Sequence, residues 1–89
     1  MLTIVRKSRF KKDFKKLQSS GKDLQKLAAV IRKLANEEGL PERNRDHALI
    51  GDYVDHRECH ITPDWLLIYQ TTETELLLVR TGSHSELFG

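Results

Sequence analysis

The sequence predicts an α+β fold: an N-terminal strand, a two-helix hairpin, and a mainly antiparallel sheet on which the hairpin lies. Three observations predict it. Two consecutive stretches carry apolar residues at helical spacing and are separated by Ser19-Ser20-Gly21. Arg57 to Ile61 alternates in period two, and Trp65 to Tyr69 is a continuous apolar run, with Thr62-Pro63-Asp64 as a tight corner between them. A further strand-like run, Glu75 to Thr81, follows a turn near Thr71 to Thr74. At 89 residues the chain is expected to form one domain spanning residues 1–89, with one modest core.

Taken in order, Leu2 to Arg6 alternates and is rich in β-branched residues, which predicts a short first strand. Ser8 is the expected N-cap of the first helix. Phe10, Phe14 and Leu17 give that helix its apolar face, and Gly21 suits the left-handed turn after it. Asp23 is the expected cap of a second helix whose stripe is Leu24, Leu27, Ala28, Ile31, Leu34 and Ala35, with Gly39-Leu40-Pro41 ending it. Two helices with one apolar face each are predicted to cover one side of the sheet. Residues 41–55 are polar and irregular. In the corner that follows, Pro63 cannot donate to a ladder. His60 points off the face opposite Cys59 and Ile61, with Asp64 at the rim. After the last strand Gly82 is expected as a break, and Ser83-His84-Ser85-Glu86 has capping-box spacing, which predicts a helical turn carrying His84 and Phe88.

Composition excludes several classes. At 38% hydrophobic and 31% charged, the chain is globular rather than disordered. No run reaches transmembrane length and no apolar block marks a signal peptide, so a cytoplasmic location and no membrane partner are expected. The single cysteine, Cys59, forms no internal disulfide and lies on the apolar side of its strand. Net charge is +2, but the layout is uneven. Residues 1–33 hold eleven Lys or Arg against Asp13 and Asp23, and the rest holds four against eleven Asp or Glu. A polyanion-facing first half and a merely solvated lysine-rich helix both fit that asymmetry.

The chemistry-bearing residues gather in the second half: His47, His56, His60 and His84, with Asp64 and Arg80. Cleaving RNA through its own 2′-hydroxyl needs a base, an acid for the leaving 5′-oxygen, and positive charge at the phosphoryl group. Histidine supplies either proton role near neutral pH, and an exposed Phe88 could stack on a base. Blander readings stand beside each. Asp64 could serve the turn, Phe88 could staple the last turn to the sheet, and Arg80 could be structural, satisfied by a neighbouring carboxylate. His56 is set aside as a surface residue, and Trp65, Leu67 and Tyr69 read as core. Three histidines and an aspartate could hold zinc, but no HExxH or close ligand pair is present, so no metal or cofactor is expected. No Gly-x-Ser-x-Gly elbow or Gly-rich phosphate loop occurs.

The series Asp46-His47-Ala48-Leu49-Ile50-Gly51, Arg57-Glu58-Cys59-His60, Pro63-Asp64-Trp65-Leu66-Leu67-Ile68-Tyr69 and Arg80-Thr81-Gly82-Ser83-His84-Ser85-Glu86-Leu87-Phe88-Gly89 resembles the YafQ branch of the RelE/ParE superfamily. These are toxins of type II toxin–antitoxin pairs. The resemblance spans essentially the whole chain, by motif in the second half and by pattern in the first. It implies a RelE-like, microbial ribonuclease-like fold and functional residues at positions matching His47, His60, Asp64, His84 and Phe88. It also implies messenger RNA in the ribosome's decoding site as substrate, with Lys11, Lys12, Lys15 and Lys16 gripping ribosomal RNA, and a neutralising antitoxin as partner. His84 is the expected acid, His60 or Asp64 the base, and His47 with Arg80 the stabiliser of phosphoryl charge, no metal taking part. His56 departs from the aromatic usual at its position. Superfamily members that poison gyrase lack this residue set, which ranks a non-catalytic toxin blocking gyrase or the ribosome second and a plain RNA-binding module third.

Overall fold

The computed structural model describes all 89 residues. Its elements run β1 (Thr3–Arg6), α1 (Ser8–Gln18), α2 (Leu24–Ala35), β2 (His47–Ala48), β3 (Arg57–Thr62), β4 (Trp65–Thr71), β5 (Glu75–Gly82) and α3 (His84–Phe88), with 3-10 turns at Glu42–Asn44 and Gly51–Tyr53. The α+β class is as expected. The sheet order is β1-β5-β4-β3-β2, with β1 parallel to β5 and every other pair antiparallel. Nothing in the sequence pattern dictates this order, and the two-residue β2 lies within the stretch expected to be irregular.

The helical hairpin covers one face of the sheet. Phe10 and Leu17 of α1 and Leu27, Val30, Leu34 and Ala35 of α2 pack with Cys59, Trp65, Leu67, Tyr69, Leu76 and Leu78. Burying each large apolar side chain contributes about 1.5–3 kcal/mol. On the opposite face Leu66 and Ile68 are covered by Leu87 of α3, with Leu49, Tyr53 and Val79 around them. That second layer explains why β4 is apolar without alternation: both of its faces are closed.

Local signals hold in part. Asp23 caps α2 by accepting from the Gln25 amide, and Gly21 is left-handed at φ 80°. Ser8 is not the cap of α1. Lys7 occupies that position in extended geometry, and its amide donates to the Leu78 carbonyl. The strand pairing therefore runs one residue further and Ser8 becomes the first helical residue. Likewise α2 stops at Ala35, before Gly39, because Glu37 turns left-handed at φ 60° where the apolar stripe has run out. Gly82 belongs to β5 rather than breaking it. A side chain there would meet α3, since an added Cβ would lie 3.0 Å from Glu86 Oε1.

Candidate functional site

The site forms on the face of the sheet away from the helical hairpin, where β3, the β3–β4 corner and α3 meet. Glu58 and His60 stand two residues apart on β3 and so share that face. His47 reaches the same patch from β2, whose pairing sets His47 opposite Glu58. Three hydrogen bonds hold β2 and its approach in register. Asp46 accepts from the Tyr69 hydroxyl at 2.7 Å and from Arg57 Nε at 3.1 Å, and Asn44 donates to the His60 carbonyl at 2.6 Å. Both ring nitrogens of His47 face oxygens: Nδ1 lies 2.6 Å from the Arg45 carbonyl and Nε2 lies 3.1 Å from Glu58 Oε2. His60 Nε2 is 3.9 Å from that same Glu58 oxygen.

From the other side comes α3. Ser83 accepts from the Glu86 amide, and Glu86 Oε1 accepts from the Ser83 amide, the capping box its spacing predicts. The Ser83 backbone bond holds the Glu86 carboxylate below its usual pKa. This cap fixes His84 as the first helical residue. Its amide and its Nδ1 both lie 3.5 Å from Asp64 Oδ1 at the hairpin corner. The His84 ring is 5.6 Å from the His60 ring and 6.3 Å from that of Phe88, centroid to centroid. His47, His60, Asp64, His84 and Phe88, dispersed over the second half of the sequence, thus become one continuous surface. Phe88 remains 47% exposed.

Arg80 is not part of that surface. It is buried, donating to Asp13 of α1 through Nε at 2.7 Å and an Nη at 3.0 Å, while the Thr81 amide donates to the same carboxylate at 3.1 Å. The hydrogen bonds Arg80 donates to Asp13 push the guanidinium pKa up, and the Tyr53 phenol nearby adds to the effect. The partner is therefore the neighbouring carboxylate of the structural reading. Lys11, Lys12, Lys15 and Lys16 are exposed along α1. Lys16 Nζ comes within 3.9 Å of Glu86, which brings the end of the basic face beside α3.

Three residues that sequence reasoning passes over belong to the neighbourhood. Glu58 is 4% exposed, and its Oε1 has no hydrogen-bond partner; the period-two pattern assigns it to a polar face without showing that β2 closes over it. Tyr53 stands edge-on to Phe88 at 5.8 Å and to His56 at 5.5 Å. Asp13 is the only acid within α1, a signal its lysine neighbours obscure. The arrangement offers two imidazoles and a carboxylate for proton transfer around an open patch. Its ligand atoms also fit a cation: those of Glu58, His60 and His84 lie within 4.8 Å of one another. The Cys59 thiol takes no part, since burial pushes its pKa up to about 12.

Comparison with known proteins gives concordant matches. Residues 2–89 match the model of the family described as the YafQ bacterial toxin of type II toxin–antitoxin systems. The mRNA interferase toxin YafQ of Escherichia coli K12 is 41% identical over 81 residues, covering 90% of this chain and 88% of that protein. Among solved structures, a metal-bound toxin from Helicobacter pylori is 50% identical with a TM-score of 0.93, over 99% of this chain and 100% of that one. The toxin in the Escherichia coli DinJ–YafQ complex is 38% identical with a TM-score of 0.92, over the full length of both chains.

Proposed function

The chain belongs to the YafQ family of bacterial toxins from type II toxin–antitoxin systems, and from that premise we propose that it is an endoribonuclease that cuts messenger RNA on the ribosome and so stops translation. The observation that supports this reading is the convergence of His47, His60, Asp64 and His84 on one open surface, which a toxin acting by binding alone does not require. The family and the DinJ–YafQ complex also support a cognate antitoxin as partner, and the cytoplasm as the place of action.

Cleavage proceeds through the substrate's 2′-hydroxyl. His60, 12% exposed in its side chain and adjoining the Glu58 carboxylate, takes the hydroxyl proton as the oxygen attacks phosphorus. His84, 53% exposed and oriented by Asp64 through both ring and backbone, gives a proton to the departing 5′-oxygen. His47, held between the Arg45 carbonyl and Glu58, lies against the developing negative charge. Arg80, its charge largely offset by Asp13, supports the end of β5 from below. The products are a 2′,3′-cyclic phosphate and a free 5′-hydroxyl, with electrons and protons balanced and no metal required. The basic face of α1, with Lys11, Lys12, Lys15 and Lys16, contacts ribosomal RNA.

Single-turnover cleavage of a message bound to ribosomes tests the reading. Asp64→Asn and His84→Gln each lower the rate by about 10²-fold or more, with ribosome binding retained. Cleavage withstands EDTA at magnesium levels that keep ribosomes intact, and a 2′-deoxy nucleotide at the cut blocks it. Cutting of the deoxy-substituted message, or recovery of a chelated enzyme by zinc alone, overturns the metal-free route and points to metal-activated water at Glu58, His60 and His84.

A further inference from the structure

Tyr53 has no part in the chemistry above, yet its placement is specific. It ends the 3-10 turn Gly51–Tyr53 and meets Phe88 at an interplanar angle of 84°, with centroids 5.8 Å apart. Two rings at a right angle make a corner: a flat group lying on one ring presents its edge to the other. The corner opens to solvent, with Phe88 47% exposed, and the same loop carries Ile50 at 89% and Val54 at 59% exposure. It adjoins the proton-transfer residues, because the Phe88 ring is 6.3 Å from that of His84.

The Tyr53 wall is firmly backed. Its ring packs with the Leu66, Ile68 and Leu87 cluster, His56 stands edge-on to it at 5.5 Å, and its phenol faces Arg80, itself fixed by two bonds to Asp13. An aromatic wall already immobile loses little entropy when a ligand stacks against it.

We propose that Tyr53 and Phe88 form a two-walled subsite for one nucleobase of the single-stranded substrate, next to the cut, and that Tyr53 makes this subsite favour purines. The proposal rests on the nuclease reading and names how that site selects where to act. A single exposed ring stacks any base, because every base has a π-face. A second wall at right angles rewards the base with the larger face and longer edge. The plain alternative is that Tyr53 merely fills the cluster around Leu66.

The test uses trinucleotides made uncleavable by a 2′-deoxy sugar at the cut, carrying adenine, guanine, cytosine, uracil or no base at the flanking position. They are titrated against the whole protein by NMR. Removing the base weakens binding to the wild type by about tenfold, within the range one base–aromatic stack supplies, and purines bind ahead of pyrimidines. Tyr53→Leu keeps apolar packing on Leu66 and Ile68; it levels the four bases and leaves the unfolding temperature near the wild-type value. Abasic and natural probes binding alike to the wild type, or a base ranking unchanged in Tyr53→Leu, overturns the subsite. The wild-type comparison decides even if the variant does not fold. Base-selective binding with no cleavage of any ribosome-bound message overturns the nuclease reading and leaves the subsite standing. Cleavage with no base selectivity does the reverse.

Discussion

At the residue scale, the buried pair decides more than its distance from the histidines suggests. Arg80 and Asp13 are 10% and 13% exposed in their side chains and bound through two hydrogen bonds. Removing one partner strands a charge, so Arg80→Ala costs about 3 kcal/mol or more in urea unfolding. The double variant Asp13→Leu/Arg80→Met recovers most of that, since apolar replacement of both members is often neutral. Equal destabilisation in the single and double variants would show that the pair itself, and not a stranded charge, carries the stability. Cys59 gives a second outcome. With its pKa pushed up to about 12 by burial, the thiol stays unalkylated by iodoacetamide at about pH 8 in the folded protein and reacts readily in urea. The same contrast explains what the sequence reveals and what it hides. His47, His60, Asp64 and His84 stand out in the sequence as candidates because few residue types carry proton chemistry, and the fold brings them together. Asp13 does not, because its meaning lies in a partner 67 positions away. Glu58 and Tyr53 escape a sequence reading because burial and ring angle depend on which loop closes over which face.

At the scale of elements, α3 is the piece on which the site's geometry hangs. It is only five residues long, His84 to Phe88, too short to persist without its cap. Ser83→Ala removes the acceptor for the Glu86 amide and costs about 1 kcal/mol, with faster hydrogen exchange at the Leu87 and Gly89 amides, which close the turn. The Glu86 carboxylate adds a pH dependence of known sign. Its folded-state pKa is lowered by the Ser83 backbone bond. Its contribution is therefore complete above the ordinary glutamate value near about 4.3 and disappears as pH falls through the lower, folded value. Exchange at Leu87 should accelerate in that acid range, and Glu86→Gln, which can still accept from Ser83, should remove the dependence. Elements whose signals are local are the legible ones: Asp23 before α2, Ser83 and Glu86 around α3, and Gly21 in the left-handed turn. The start of α1 differs from expectation because the Lys7–Leu78 bond that sets it joins residues far apart in the chain. Two-residue β2 is hidden because a strand so short has no period to detect.

Across the whole molecule, charge and topology set behaviour that no single residue shows. The basic face of α1 lies beside α3, joined at Lys16 and Glu86, so a polyanion bound there would lie next to the histidine surface. Reversing Lys11, Lys12, Lys15 and Lys16 to Glu should weaken ribosome association and flatten its salt dependence, by roughly 0.7 in log–log slope for each phosphate no longer neutralised. An unchanged slope would show a face that is only solvated. The order β1-β5-β4-β3-β2 has a further consequence. Thr3 pairs with Glu75 and Arg6 with Leu78, so the first strand waits for the fifth before the sheet closes. A polypeptide emerging from its N-terminus holds β1 unpartnered while most of its own message is still being decoded. Asp13 cannot reach Arg80, nor Asp64 reach His84, until the codons for those later residues have passed. The pairing of β1 and the meeting of Asp64 with His84 are thus both deferred to the last codons, so the fold closes only as synthesis ends.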